Sequence, residues 1–343
     1  MKVEELKNFG FDEKWIEKIK KLKIENFYPP QEEFVKRKLF EKSCIVSTPT
    51  ASGKTLMAML AIIKTLQEGK KVLYTSPLVA LAFEKYEIFK DFFNEYKVAI
   101  SFPDFDSSDP WLHSYHIIVC TNEKADSLLR HRAEWMKDVG LLIADEIHLL
   151  TEPSRGPTLE ILITKLRKSI KNLKIIGLSA TIKNAREIAE WLNAELLESD
   201  FRPVKLYQGL AFNSKIEFLD KEEIKLNKDL DLEEAIVLDT LSRNKQILIF
   251  CSTRRSVEAL AERLSKIVSK NIGKSNISYL QKIAEEIENA LEVPTQQCKK
   301  LANCVRNGVA FHHSGLVGKQ RRIIEENFRN GLIKVLVAST TLA

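Results

Sequence analysis

The chain has 343 residues, 44% of them hydrophobic and 29% charged, which describes a soluble globular protein with room for two domains of ordinary size. Its 53 Lys and Arg against 47 Asp and Glu leave a formal charge of +6, which permits a polyanionic partner without demanding one. The five cysteines (Cys44, Cys120, Cys251, Cys298, Cys304) form no C-x-x-C pair, the N-terminus has no apolar leader, and no run reaches membrane-spanning length. A soluble cytoplasmic protein, away from membranes, is the expectation.

Residues 1–26 carry apolar positions at roughly helical spacing and predict a pair of short amphipathic helices. Phe27-Tyr28-Pro29-Pro30-Gln31 then stiffens the chain before a helix predicted over Glu32 to Phe40. A short apolar run, Cys44-Ile45-Val46, breaks into the small-residue loop S-T-P-T-A-S-G-K-T and continues as a helix from Leu56 to Gln67. Strands follow at Lys71–Thr75, Val98–Phe102, Ile117–Thr121, Leu141–Asp145 and Ile175–Ser179, with helices predicted at Leu81–Phe93, Glu123–Arg130 and Thr158–Leu173. Near-continuous apolar strands at helix-length intervals argue for an α/β fold with a parallel sheet covered by helices on both faces. Around Phe201-Arg202-Pro203 this unit has run its course, giving domains 1–203 and 204–343. The second unit has strands at Ile247–Cys251, Val309–Phe311 and Lys334–Ala338, helices at Ser256–Val268 and Gly318–Asn330, and a polar helical arm over Ser269–Val305. It stops at Thr340-Thr341-Leu342-Ala343, just as a loop leaves a strand, and is expected to be incomplete.

The strand, loop and helix order at Cys44–Thr55 is that of a P-loop nucleotide site. Small residues at Thr50, Ala51, Ser52 and Gly53 let backbone N–H groups close around phosphate oxygens, and the helix start adds its positive dipole end. Lys54 would reach the β- and γ-phosphates, and the Thr55 hydroxyl would hold Mg²⁺. Thr48 stands where the general G-x-x-x-x-G-K-[ST] pattern has its first glycine, so an ordinary Gly-Lys-Thr helix start remains open at this point. A second anchor is L-L-I-A-D-E-I-H over 141–148, where two carboxylates end a buried strand. There Asp145 is placed to bind Mg²⁺ through water, and Glu146 to orient and deprotonate the attacking water. A third strand ends in Ser179-Ala180-Thr181, which alone is equally a helix N-cap.

Taken together and in this order, T-P-T-A-S-G-K-T, D-E-I-H and S-A-T resemble motifs I, II and III of superfamily 2 helicases, a superfamily that often lacks the first glycine. T-S-P-L-V-A-L-A over 75–82 and T-N-E-K-A-D-S-L-L-R over 121–130 are similar to motifs Ia and Ib. R-G-P-T-L-E after residue 154 and F-H-H-S-G-L over 311–316 resemble the Ski-like branch, and the whole pattern is most similar to archaeal Hjm-type DNA repair helicases. Two positions depart from that family, Val79 in place of Arg and Ser314 in place of Ala.

The resemblance implies two RecA-like P-loop domains, the second incomplete, that use ATP and Mg²⁺ to step 3′-to-5′ along single-stranded or forked DNA, with RNA as the alternative strand. It implies that Gln31, beside Tyr28, recognises adenine, and that His148 links the ATP site to Ser179 and Thr181. Pro77, Thr121, Glu123, Ser252, Thr253, His312 and Thr341 mark the segments expected to track the nucleic-acid backbone. Arg254, Arg255, Arg321 and Arg322 either add phosphate contacts or are solvated helix charges. A monomer is expected. The arginine-bearing motif Q-x-x-G-R-x-G-R does not occur in these 343 residues. Binding of Mg-ATP with slow hydrolysis and no unwinding is therefore expected. A nucleic-acid-binding scaffold with a vestigial ATPase and a Ski-like RNA helicase are the other readings.

Overall fold

The computed structural model describes residues 1–102, 109–271 and 274–339. Contacts divide the chain into two compact units, Met1–Leu206 and Tyr207–Ala343.

In the first unit the chain runs α1 (Glu13–Lys21), α2 (Pro29–Lys36), β1 (Cys44–Ser47), α3 (Lys54–Gln67), β2 (Lys71–Ser76), α4 (Val79–Phe92) and β3 (Val98–Ser101). It continues through β4 (Ile117–Thr121), α5 (Asn122–Arg130), β5 (Val139–Ala144), α6 (Gly156–Ser169), β6 (Lys174–Ser179), α7 (Ala185–Leu192) and β7 (Glu195–Glu198). All seven strands are parallel, in the order β3-β4-β2-β5-β6-β1-β7. The period-2 alternation of each strand sends its side chains into two separate cores. Val46, Tyr74, Val119 and Ile143 face Trp15, Phe34, Met57 and Phe89 from α1 to α4. Ile45, Leu73, Ile118 and Leu142 face Leu128, Leu162 and Ile188 from α5 to α7. Burial on both faces is why these strands read as unbroken apolar runs.

Three expectations shift. The first of the two N-terminal helices is a 3₁₀ segment, Val3–Phe9, closed by Gly10 at φ +73°. The helix expected to open at Glu32 begins at Pro29, since prolines fit the first helical turn where no N–H is needed. It also ends at Lys36, because Lys38 turns left-handed at φ +52°. The third helix spans Gly156–Ser169 rather than reaching Leu173. Helix α7 and edge strand β7 were not anticipated.

The second unit opens with β8 (Gly209–Phe212), β9 (Lys215–Phe218) and β10 (Ile224–Lys225), a small antiparallel sheet. Asn213 and Ser214 join β8 to β9 with φ of +45° and +58°, the left-handed pair of a two-residue hairpin turn. Then come α8 (Leu232–Ser242), β11 (Ile247–Phe250), α9 (Arg254–Val268), α10 (Lys274–Glu288), α11 (Gln296–Arg306), β12 (Val309–His312), α12 (Gly318–Arg329) and β13 (Val335–Ala338). The last three strands pair in parallel as β11-β13-β12. The expected helical arm is α10 and α11, which contribute Ile283, Ile287 and Leu301 to the core of this unit. Strands β12 and β13 are fully buried, whereas Leu248 and Phe250 of β11 are exposed. Cys44, Cys120, Cys298 and Cys304 are buried and Cys251 is partly so, all as free thiols. Among the described residues no helix is long and apolar enough to cross a membrane.

Candidate nucleotide site

The site lies at the C-terminal ends of β1, β6 and β5, three neighbouring strands of the first sheet. The loop leaving β1 is held by its own hydroxyls. Thr48 Oγ1 and Ser52 Oγ lie 2.7 Å apart, both buried, so the threonine in the first-glycine position closes the turn that a glycine would otherwise leave to backbone freedom. Ala51 and Gly53 take left-handed φ of +66° and +88°, the corner geometry that lets N–H groups converge before α3. Thr50 and Ala51 are exposed and Ser52 is buried.

Lys54 folds its ammonium onto the loop, donating to the Thr48 carbonyl at 2.9 Å and the Pro49 carbonyl at 3.2 Å. Burial pulls its pKa below the usual lysine range, against the opposing fields of Glu146 and Asp145. Gln31 bridges two segments: its Oε1 accepts from the Tyr28 N–H at 2.9 Å and its Nε2 donates to the Gly53 carbonyl at 3.3 Å. Tyr28 is itself 41% exposed, with its ring 5.3 Å from that of Phe201.

Asp145 leaves β5 with its N–H on the Thr75 carbonyl at 2.9 Å. Its Oδ2 accepts the Tyr74 hydroxyl at 2.6 Å and its Oδ1 the Glu146 N–H at 3.1 Å. Glu146 sits at φ +52°, a left-handed position for a residue with a full side chain. Burial, then the charge of Asp145, raises its carboxyl pKa, while His148, Lys54 and Lys85 pull the other way. His148 Nδ1 lies 3.3 Å from Glu146 Oε2 and 3.2 Å from Ser179 Oγ. The Ser179 carbonyl in turn accepts the Thr48 N–H at 3.2 Å. A chain of polar contacts thus runs from Glu146 through His148 and Ser179 to the loop. Thr181 is exposed and outside that chain.

For a metal ion, the first unit offers the Thr55 hydroxyl and the Asp145 carboxylate, an all-oxygen donor pair of the kind Mg²⁺ prefers. Among the described residues no cluster of three or more His, Cys, Asp or Glu could cage a metal.

The DEAD/DEAH box helicase family matches residues 28–188. Over 346 aligned positions the chain is 44% identical to the ATP-dependent DNA helicase Hel308 of Pyrococcus horikoshii, covering 100% of this chain and 46% of that protein. It is 42% identical to the Methanocella arvoryzae Hel308, covering 93% and 44%, and 44% identical to that of Methanocaldococcus jannaschii, covering 96% and 28%. The chain belongs to the superfamily 2 helicases, in the Hjm-type group. It spans less than half the length of these relatives.

The positions that resemble nucleic-acid motifs differ in what their side chains have free. Pro77 is buried in the turn after β2, and Ser76 pairs in register with Thr121. The Thr121 hydroxyl caps α5 by accepting the Lys124 N–H at 3.3 Å, while Glu123 is exposed. In the second unit Ser252 and Thr253 are exposed, and Thr253 Oγ1 caps α9 through the Ser256 N–H at 3.1 Å. His312 is buried with Nε2 at 2.7 Å from Glu325, and its Nδ1 has no partner among the described residues. Arg254 donates to Ser314 Oγ at 2.6 Å, Arg255 is exposed, and Arg321 keeps a buried Nε without a partner among the described residues. Arg322 lies on α12. Thr341 lies outside the described residues.

Two residues of the site, and one buried histidine of the second unit, went unread in the sequence. Tyr74 holds Asp145 from inside an apolar strand, and the one hint was a phenol among Val72, Leu73 and Thr75. Lys85 reaches Thr55 Oγ1 at 3.3 Å. His313 is buried, stacked on Phe311 with ring centroids 5.6 Å apart. Its Nδ1 accepts the Gly315 N–H at 3.1 Å, which assigns the proton to Nε2 and makes it the donor to Glu258 at 3.1 Å.

Proposed function

We propose that this chain is the motor core of an ATP-dependent DNA helicase that moves 3′-to-5′ on single-stranded DNA. The observation that carries the proposal is the convergence at three adjacent strand ends: the 48–55 loop, Asp145-Glu146 and Ser179, joined through His148. Gln31 and Tyr28 take the adenine end of ATP, the loop N–H groups from Thr50 to Thr55 cradle the phosphates, and Lys54 turns from its loop carbonyls to the terminal phosphates. Thr55 and Asp145 hold Mg²⁺, Asp145 mainly through water. The bound ion supplies charge neutralisation on the phosphate oxygens. Glu146, with its raised pKa, accepts a proton from the attacking water. His148, Ser179 and Thr181 pass the state of the site onward. Pro77, Thr121 and Glu123 of the first unit, and separately Ser252, Thr253 and His312 of the second, belong to the segments that contact the nucleic-acid backbone.

The test is steady-state ATP hydrolysis and nucleotide binding with single-stranded DNA or RNA, beside Lys54→Ala and Glu146→Gln. Mg-ATP should bind to the native chain and fail to bind to Lys54→Ala. Turnover by these 343 residues should be slow, because arginine fingers are worth about 10³–10⁵ in rate in comparable nucleotidases and the motif that carries them does not occur in this sequence. Stimulation by RNA but not DNA would overturn the substrate assignment, and absence of nucleotide binding would overturn the whole proposal.

A further inference from the structure

Helix α4 buries Ala82, Phe89 and Phe92. Lys85 falls on the same stripe, three residues after Ala82 and four before Phe89, where helix geometry stacks side chains on one face. Its side chain is only 14% exposed. One turn on, Phe89 packs edge-on to Tyr74 at 5.1 Å, the residue that holds Asp145. The Lys85 ammonium ends 3.3 Å from Thr55 Oγ1, with Glu84 Oε1 at 3.4 Å as its ion-pair partner.

Partners so modest make a poor return for desolvating an ammonium. Glu84 is the adjacent residue and about half exposed, so the contact is of the kind that contributes little to stability. What the position does offer is charge aimed at the phosphate-binding loop. The lysine acts on Glu146 and on Lys54 as well as touching Thr55. Its N–H points at the lone pairs through which a threonine hydroxyl ligates a metal. An ammonium and a divalent cation cannot share that oxygen, since like charges at such separation repel strongly wherever water is scarce.

We propose that Lys85 is a positioning residue of the nucleotide site whose ammonium exchanges with the divalent ion at Thr55. The ion arriving with nucleotide displaces Lys85 from Thr55 Oγ1, and Lys85 in turn attracts polyphosphate that arrives without a metal. Because α4 starts at Val79, directly after the Ser76-Pro77 turn, the exchange acts on the helix that follows the motif Ia segment. The proposal rests on the reading of this site as a Mg-nucleotide site and adds a residue that the motif pattern does not contain.

The experiment titrates a fluorescent ADP analogue onto the native chain, Lys85→Met and Lys85→Arg, each with excess MgCl₂ and with EDTA. Methionine keeps the bulk of the stem and removes the charge, and Lys85→Gln repeats the measurement should methionine repack α4. The quantity read is the factor by which Mg²⁺ tightens binding. In Lys85→Met that factor should exceed the native one by about fivefold or more, the lower end of ordinary coupling between sites. Affinity in EDTA should fall, and Lys85→Arg should behave like the native chain. A merely structural lysine would weaken binding equally with and without Mg²⁺, and that result overturns the proposal. So does an unchanged factor, or an arginine variant that behaves like methionine. If the native chain binds no nucleotide in either condition, the reading of the site falls and the exchange with it, whereas native binding with an unchanged factor sinks the exchange alone.

Discussion

Tyr74 donates its phenolic hydrogen to Asp145 Oδ2 at 2.6 Å, from the middle of the sheet to the end of the neighbouring strand. The phenol is fully buried, and burial followed by the charge of Asp145 raises its pKa well above the ordinary value, so it stays a donor throughout the working pH range. Of the two bonds that orient Asp145, the other comes from the Glu146 backbone. Tyr74→Phe leaves the ring contact with Phe89 in place and removes only the donor. The expected cost is about 1.5–3 kcal/mol, typical of a hydrogen bond to a charged group, with a weaker response of nucleotide binding to Mg²⁺. Urea unfolding indistinguishable from the native chain would show that the bond orients nothing.

The Thr48–Ser52 hydroxyl pair predicts non-additivity. Thr48→Val and Ser52→Ala each leave one buried hydroxyl without its partner, at a cost of about 1–3 kcal/mol apiece. Removing both removes the unsatisfied group too, so the double variant should lose less than the sum, by about 0.5 kcal/mol or more. Simple additivity in denaturant titrations would mean that the two hydroxyls, 2.7 Å apart, do not depend on each other.

Gly53 is fixed by its neighbour as much as by its own backbone. At φ +88° any side chain is strained, and a Cβ there would lie 1.8 Å from Gln31 Nε2. Gly53→Ala should therefore cost about 1–2 kcal/mol from the left-handed backbone alone and push Gln31 away from the loop. Discrimination of ATP against GTP in competition binding should drop along with affinity. Retained discrimination would mean that Gln31 does not read the base.

Much of this was legible before the fold was known, for a physical reason that also marks the limit. Strands buried on both faces, such as Ile117–Thr121 and Val139–Ala144, advertise themselves as apolar runs, and the polar residues that end them stand out. A polar residue inside an element does not. Tyr74 sits within an apolar strand and Lys85 between Glu84 and Tyr86 on a mixed helix, and their roles depend on which strand or loop lies beside them, which no local pattern encodes. The β8–β9 hairpin escaped because its turn is Asn213-Ser214, without the glycine that usually announces one. The motif order marks His148 as a link, yet Ser179, 31 residues away, meets it only through the β5-β6 pairing.

The second unit should be sensitive to acid through one network. Burial, partly offset by Glu258, holds His313 below its usual 6.5. Against its own burial, hydrogen bonds from Gln297 and Lys300 hold Glu258 below its usual 4.5. Both pKa values are depressed by folding, so both groups give full stability above their unfolded values. That stability is lost as pH falls, first below 6.5 for His313 and then below 4.5 for Glu258. Glu258→Gln removes the second contribution, so below about pH 4.5 its melting point should fall less steeply than the native one. Parallel curves for the two proteins would exclude Glu258 from the acid response.

Cys251 follows the last residue of β11 and precedes Ser252 and Thr253. The other four cysteines are buried, with Cys44, Cys120 and Cys304 pushed up to about 12. The native chain therefore carries its own attachment point for a dye or spin label. Burial and Glu233 raise the Cys251 thiol, so coupling calls for mildly alkaline buffer. A probe placed there would sit beside a segment matched to strand contacts, and could watch a nucleic acid arrive without any substitution in the protein.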